Sequence, residues 1–444
     1  MSDRIRVAIV GGGITGVILA LGLEKRGVDY TLFERAPEFT EIGAGIGFSP
    51  NAERALKVVD PNVYSKYKEV ASSNDQEDYF TWVDGSQTNE IISRLLIGID
   101  AFQGGRRSDF LEAWSELIPE NKVKFGKELE TLVQHEDGRV TLKLKDGSSE
   151  VFDVVVGCDG IKSRVRQLVL GEANPASYPR YTNKFCFRAL VDMEAAQAAI
   201  GEERTLNRYM YNGPDAHSII YPVAMGALLN VLLVISDPHP WKAEEGRHTA
   251  PGSKQEAIDA FAKWHPHFRA IVDLLPDELD KWAIFDMYDY PAPYYNVGSV
   301  AVAGDAAHAS SPHLGSGAGF GIEDALVMAT VLEAADGQLA GSSKKGKADL
   351  CRDALVAFNN VRYERDQWLP GASREASELF QWQDAEVGSD AEKFGPRISK
   401  LFHTIWDNDI EEMVKGAVEE FKTIAAVEVT NNKAVRSVQF QPSL

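Results

Sequence analysis

An α/β fold carrying a second, mostly antiparallel sheet and a helical C-terminal region is predicted by three observations. Residues 4–33 read as strand, glycine turn, apolar helix and strand, the size of one right-handed crossover unit. Between about 178 and 235, short apolar runs alternate with turn signals, Asn212-Gly213-Pro214 being the clearest. Beyond about Gly337 the apolar spacing is helical. The 444 residues exceed one ordinary core, so several packed units are predicted.

Composition narrows the class. With 44% hydrophobic and 25% charged residues, the chain is globular rather than disordered or fibrous. Its 46 basic and 66 acidic residues leave a formal charge of −20, which repels phosphate backbones, and no Lys/Arg-rich run offsets it. A nucleic-acid partner is therefore not predicted. Cys158, Cys186 and Cys351 form neither a disulfide framework nor a Cys-x-x-Cys ligand pair. That pattern points to no metal and to a reducing, cytoplasmic compartment. Residues 7–23 carry no charge, but Gly11, Gly12, Gly13 and Gly16 interrupt them. A strand, a turn and a helix fit that stretch better than a leader or a span, and no stable membrane insertion is predicted.

The elements follow in order. A buried strand at 4–10 leads through glycines to a helix ending near Gly27, and a strand at 30–33 ends at Glu34. Gly43-Ala44-Gly45-Ile46-Gly47 is a loop that lets backbone approach something closely. A helix is predicted over 111–118, then strands at 123–125, 128–136, 139–144 and 151–156, with Lys145-Asp146-Gly147 as a hairpin turn. Strands follow at 184–191, 205–211, 218–223 and 228–235, and a helix at 254–263. A strand at 299–303 enters another glycine-rich turn and a helix from about Gly321. Residues 341–347 read as an exposed loop, and there is no internal repeat.

Three segments carry chemistry. Gly11-x-Gly13-x-x-Gly16 follows a strand and opens a helix: a tight turn, a close backbone approach to a pyrophosphate, and close helix–sheet packing. The helix N-terminus offers N–H groups and partial positive charge to phosphates. Glu34, 21 residues after Gly13, is placed to accept ribose hydroxyls. Gly157-Cys158-Asp159-Gly160 and Gly304-Asp305-Ala306-Ala307-His308 each set an acid at the C-terminal edge of a strand, where open α/β sheets bind ligands. Asp305 is followed by Pro312-His313-Leu314-Gly315-Ser316-Gly317-Ala318-Gly319, whose backbone N–H groups suit a ligand that gathers negative charge. His308 reads as structural, and His265-x-His267 as a surface pair without a metal.

In this order and spacing, the three segments resemble the single-component flavoprotein aromatic hydroxylases, the group of para-hydroxybenzoate and salicylate hydroxylases. The resemblance covers roughly residues 4–335. The 42–51 stretch and Arg106-Arg107-Ser108-Asp109-Phe110 are similar to the salicylate hydroxylase branch. Lys184-Phe185-Cys186-Phe187-Arg188, Arg204-Thr205-Leu206-Asn207, Ile220-Tyr221-Pro222-Val223 and the 285–293 stretch resemble fungal phenol monooxygenases of polyketide pathways, such as 3-methylorcinaldehyde monooxygenase. Cys158 departs from the usual Ala, and Leu314-Gly315-Ser316 from the commoner sequence there.

That resemblance implies a discontinuous Rossmann-like FAD-binding domain (1–75, 100–175 and 285–335), a mostly antiparallel substrate-binding β-sheet domain (76–99 and 176–284) and a helical C-terminal region (336–444). It implies that Gly11, Gly13, Gly16, Glu34, Arg35, Gly45, Arg107, Asp159, Asp305, Gly317, Ala318 and Gly319 hold FAD. With no second complete glycine fingerprint, NAD(P)H would dock transiently as co-substrate. Arg188 and Tyr221 would bind a substrate phenolate, with His313 beside the flavin. The partners are then a small phenol, O₂ and NAD(P)H, and a homodimer stays open.

The implied reaction is hydroxylation of a phenol through a flavin C4a-hydroperoxide, ortho to the phenol, dearomatising a fungal polyketide-type substrate. A free phenol ionises near pKa ~10, so the site must favour the anion, by charge from Arg188 and a hydrogen bond from Tyr221. One alternative is salicylate 1-monooxygenase, in which attack at the carboxylate-bearing carbon releases CO₂ and gives catechol. A flavin reductase or dehydrogenase without oxygen insertion, a membrane epoxidase with a terminal anchor, and a non-catalytic dinucleotide-binding protein are the other readings.

Overall fold

The computed structural model describes residues 4–39, 45–71, 77–99, 101–223, 226–242, 246–341 and 345–427. Gly43, with the rest of 42–44, and residues 342–344 of the predicted loops lie outside these segments.

A six-stranded sheet runs in the order Asn296–Val297, Val300–Val302, Val154–Gly157, Arg6–Val10, Asp29–Phe33, Val123–Lys124. It is parallel except for the 296–302 hairpin. Its central strands are unbroken apolar runs because helices cover both faces. The helix Ile14–Arg26 crosses Gly317–Ala340, whose buried surface extends nearly all the way round. A Cβ on Gly22 would meet that of Ala329 at 3.0 Å, so the glycine sets how closely the two helices pack.

The single strand predicted at 151–156 is two. Ser149–Phe152 closes a three-stranded sheet with Val140–Leu144 and Leu129–Gln134, while Val154–Gly157 belongs to the parallel sheet. Asp153 turns the corner: its carboxylate accepts from Arg6 N (2.9 Å) and from the Lys347 ammonium (3.2 Å).

The second large sheet has eight strands, ordered Thr249–Ser253, Glu278–Asp286, Arg180–Asp192, Leu228–Ser236, Ala216–Val223, Arg208–Gly213, Glu77–Asp84, Ile91–Ile99. All pairs are antiparallel except Arg208–Gly213 with Glu77–Asp84. The strand predicted at 205–211 begins only at Arg208; Glu202–Leu206 is helical, and the Thr205 hydroxyl donates back to Glu202 O (2.9 Å), closing the turn. One face of the sheet, with Phe187, Tyr211, Val231 and Leu233, is buried against the short helices Met193–Ile200 and Pro266–Val272. The opposite face turns toward the parallel-sheet domain.

The C-terminal helices Lys347–Phe380, Ala391–Trp406 and Ile410–Ala426 have no core of their own. Leu350, Phe358 and Phe421 join the parallel-sheet core, whereas Leu369, Phe380 and Phe402 join a cluster with Phe80, Trp82 and Met210 of the large sheet. Residues 347–380 thereby join the two sheets across their shared seam.

Candidate functional site

The three fingerprints meet because their strands are neighbours. Cys158 N donates to Val10 O (2.7 Å), and Ala303 N to Gly157 O (2.9 Å). Gly11 has φ +105°, a conformation open to glycine, and a Cβ there would lie 2.5 Å from Cys158 O. A Cβ on Gly16 would lie 1.9 Å from Gly11 O, so the helix packs directly on the turn. Gly304, at φ +61°, would carry its Cβ 2.4 Å from Thr15 Oγ1, and a Cβ on Gly321 would lie 2.3 Å from the same hydroxyl. Thr15 therefore ties the first motif to the third. The helix predicted from about Gly321 starts at Gly317, and its glycines, unfavourable to helix, allow this close approach.

The helix Ile14–Arg26 starts at Gly13 with no side-chain cap and no acid in its first turn, so its N–H groups and partial positive charge remain at the turn. Arg107 leans over it, Nη2 being 4.0 Å from where a Gly13 Cβ would stand. Glu34 accepts from Gly12 N (2.6 Å) and Ala36 N (2.7 Å) and keeps further lone pairs. Asp305 is exposed while Ala306, Ala307 and His308 are buried, and its Oδ1 lies 3.8 Å from the Cβ position of Gly317. The Gly317–Ala340 helix also begins without a side-chain cap, with Gly317, Ala318 and Gly319 in its first turn. Gly45 pairs with Arg106 in a short antiparallel ladder next to Arg107. Two uncapped helix N-termini, an arginine and two carboxylates suit FAD, whose pyrophosphate is anionic and whose ribose and ribityl hydroxyls donate.

Two predicted residues stand apart. Asp159 spends its carboxylate on its own turn, accepting from Ser163 Oγ, Arg164 N (2.7 Å) and Val165 N (3.1 Å). Arg35 is exposed beyond Glu34 and acts on Lys162, whose ammonium is lowered by burial and by Arg35.

Behind the flavin loops lies a buried charge network that the sequence did not reveal. Arg362 donates to Asp324 Oδ1 (2.8 Å), Glu323 Oε2 (2.7 Å) and Asp366 Oδ1 (2.5 Å), all four side chains having zero exposure. Asp324 Oδ2 accepts from Gly304 N (2.8 Å) and meets His308 Nε2 (2.7 Å). Glu323 Oε1 accepts from Asn51 Nδ2 (2.8 Å), and Arg365 also binds Glu323. Burial opposes charge on His308, but Asp366 and Asp324 outweigh it and raise the imidazole to about 9. Burial, reinforced by Asp324, pushes Asp366 well up. His308, Asp324 and Asp366 lie close enough to ligate an ion, yet the Arg362 guanidinium already fills their midst.

The face of the eight-stranded sheet toward these loops is built differently. Pairing places Arg188 opposite Leu232 and Ile219 opposite Leu232; the next rows hold Leu190–Asn230–Tyr221 and Cys186–Val234–His217–Asn212. Residues in register share a face, so Arg188, Tyr221 and His217 all project to one side. Arg188 is exposed, its guanidinium 5.7 Å over the Trp282 ring. The Tyr221 hydroxyl lies 3.2 Å from the Cβ position of Gly45, which puts it against the glycine loop of the other domain. Burial raises the Tyr221 phenol, and Arg188 and Arg208 pull against that rise. His313, 8% exposed, faces His217 with ring centroids 5.2 Å apart. Tyr221 thus reaches Gly45, Arg188 shares its sheet face, and His313 meets that face through His217.

Sequence reasoning missed Arg208, His217 and Phe102. Arg208 pairs with Asp78 and donates to Phe102 O (3.0 Å). His217 was findable, four residues before Tyr221 on the same strand face. Phe102 gave no signal: its backbone sits at φ +54°, and its ring packs under Gly47 and Gly315.

A glycine-framed dinucleotide site facing a sheet that presents ligand-ready polar tips defines a two-domain flavoprotein. A family model described as FAD binding domain matches residues 4–344, and the chain belongs to that family. It is 48% identical to the FAD-dependent monooxygenase pigN of Monascus ruber, over 94% of this chain and 97% of that one. It is 37% identical to the salicylate hydroxylase asL1 of Sarocladium schorii, over 94% and 91%. A solved structure titled salicylate hydroxylase substrate complex superposes with a TM-score of 0.82 at 29% identity, covering 94% of this chain and 98% of that one. The chain is an FAD-dependent monooxygenase with a salicylate-hydroxylase-like fold. Among the described residues no helix is long and apolar enough to cross a membrane.

Proposed function

We propose that the enzyme hydroxylates a phenol ortho to its oxygen, using NAD(P)H and O₂ and leaving a dearomatised product. One observation carries this reading: Arg188 and Tyr221 project from one sheet face, and the Tyr221 hydroxyl reaches Gly45 of the flavin domain. Gly11, Gly13, Gly16, Glu34, Arg107, Asp305 and Gly317–Ala318–Gly319 would hold FAD, which when bound supplies reduction of O₂ and transfer of one oxygen atom.

The chain's own groups supply binding, charge and exclusion of water. Arg188 attracts the substrate's phenolate, and Tyr221, kept protonated by burial, donates a hydrogen bond to it. Ionising the phenol pushes electron density onto its ortho and para carbons. The apolar neighbours Leu232, Ile219 and Trp282 keep bulk water from the ring. Overall, phenol, O₂, NAD(P)H and a proton give hydroxylated product, NAD(P)⁺ and water. Where the attacked carbon already bears a substituent, it has no proton to lose, and the phenolate oxygen becomes a ketone.

Decarboxylative hydroxylation of salicylate is the second reading, favoured by the salicylate hydroxylases among the similar proteins. A screen of substituted phenols for stimulated NAD(P)H oxidation, with product identification, tests both. A quinol from a methylated resorcylic aldehyde supports the first; catechol with stoichiometric CO₂ from salicylate overturns it.

A further inference from the structure

Resting on the phenol-hydroxylase reading, we infer that Arg208, gripped by Asp78, is a positioning residue that sets where Tyr221 stands against the flavin-side 45–47 ladder and strengthens the hydrogen bond Tyr221 donates. Tyr209 and Ile220 pair across neighbouring strands and both enter the core of the eight-stranded sheet. Arg208 and Tyr221, the next pair along, therefore project side by side from the opposite face. Asp78 is 4% exposed; its Oδ1 accepts from Tyr79 N (2.8 Å), and its other oxygen pairs with Arg208. The second arm of the guanidinium donates to Phe102 O (3.0 Å). Arg188 is exposed on the same sheet, whereas Arg208 has both arms engaged by protein and acts through Phe102 and Tyr221.

Phe102 lies where the chain crosses from one sheet to the other. The strand Ile91–Ile99 precedes it, and Gly104–Arg106, which pairs with Gly45–Gly47, follows. Phe102 takes φ +54°, and its ring lies 2.7 Å from the Cβ position of Gly47 and 3.3 Å from that of Gly315. The next carbonyl, Gln103 O, accepts from Phe48 N (2.9 Å). A phenylalanine at positive φ persists only where its surroundings hold it, and the Arg208 bond to its carbonyl is one such hold. Arg208 thus stands beside Tyr221 and also holds the segment that leads to Gly45, the two sides of the 3.2 Å approach between the Tyr221 hydroxyl and the Gly45 Cβ position. Its charge acts on the same group. Burial lowers Arg208 to about 10, which leaves it a cation at neutral pH, and with Arg188 it pulls the Tyr221 phenol down against burial. A more acidic phenol donates a stronger bond to a phenolate.

The test is a double-mutant cycle on kcat/KM, with the FAD-loaded enzyme, NAD(P)H and the phenol that most stimulates its oxidation. Arg208→Met should lower kcat/KM by about tenfold or more in the wild-type background, and by less than about threefold in Tyr221→Phe, which lacks the bond it serves. Arg208→Lys keeps the charge but not the two-armed fork, and should recover part of the loss. FAD content and the thermal melt report folding for each variant. Should Arg208→Met fail to hold FAD, Arg208→Lys and Asp78→Asn carry the same cycle, with smaller losses that again shrink in Tyr221→Phe. Equal fold-losses in both backgrounds, or a lysine variant no better than the methionine one, would overturn the positioning role while leaving the hydroxylase reading in place. If no phenol stimulates NAD(P)H oxidation in the wild type, the hydroxylase reading fails, and the positioning role with it.

Discussion

His308 and His313 lie five residues apart on one loop and behave oppositely. His308 is buried with Asp324 at 2.7 Å, and Asp366 and Asp324 outweigh that burial and raise it to about 9; His313, 8% exposed, is lowered by burial and then by Lys184 and Arg374, to about 3. The contrast extends to their surroundings. Behind the flavin loops, Arg362, Glu323, Asp324, His308 and Arg365 bind one another, which fixes backbone: Glu323 holds Asn51 near the 45–47 strand, and Asp324 holds Gly304 next to Asp305. At the sheet face, the Tyr221 and His217 side chains, and that of His313 opposite them, make no hydrogen bond to protein among the described residues. The network is tied by ion pairs even though His308 Nδ1 and Asp366 Oδ2 stay unpartnered, whereas the sheet face has no such mutual pairing.

The largest effect should come from breaking the satisfied side. Arg362→Met leaves Asp324, Glu323 and Asp366 buried against one another, and should cost about 3–5 kcal/mol in denaturant unfolding and release FAD on gel filtration. A variant that keeps wild-type stability and flavin would show the network to be incidental.

The two histidines should also separate by pH. The folded value of His308 lies above its unfolded value of about 6.5, so its stabilisation is complete below about pH 6.5 and fades as pH rises through about 9. Asp366, also raised, acts in the same direction. Stability should drop by about 2–3 kcal/mol over that window, and His308→Gln should flatten the slope. His313 is lowered, so its contribution is lost on acidification from about pH 6.5 toward 3, and His313→Phe should remove part of that acid-side loss. Chemical denaturation at pH 5, 6.5 and 9 reads both signs.

On the unsatisfied side, Arg188→Ala should lower kcat/KM for the phenol by about 10- to 100-fold, near 2 kcal/mol, with flavin content and melting unchanged. Unaltered turnover would remove Arg188 from the site. The smallest effect is predicted for Cys158→Ala. Its thiol is buried and held protonated by burial and by Asp159, so the exchange should shift stability by less than about 1 kcal/mol and leave flavin spectra alone.

The parts of this architecture that were legible in the sequence are the ones set by local constraint. Gly11 must take φ +105°, and Gly16 must let a helix touch the turn, so the fingerprint identifies its own fold. The proposed roles of Arg188 and Tyr221 come from family resemblance alone, because an arginine or tyrosine on a strand has no local signature of binding. The Arg362 network joins Asn51, Glu323 and Arg362, with Asn51 and Glu323 272 positions apart, and no periodicity records such contacts. The bonds that Asp159 accepts from Arg164 N and Val165 N were not legible, because Asp-Gly at a strand edge does not say which backbone groups its carboxylate will hold. The split at Asp153 was hidden by an unbroken apolar run that serves two sheets.

Incubation of the purified enzyme with NAD(P)H, ¹⁸O₂ and the phenol that most stimulates NAD(P)H oxidation tests the central claim most directly. A site in which Arg188 and Tyr221 present a phenolate for oxygen transfer predicts one ¹⁸O atom in the product, ortho to the original phenol oxygen, and its loss in Arg188→Ala. NAD(P)H consumption without label in any aromatic or dearomatised product would contradict it.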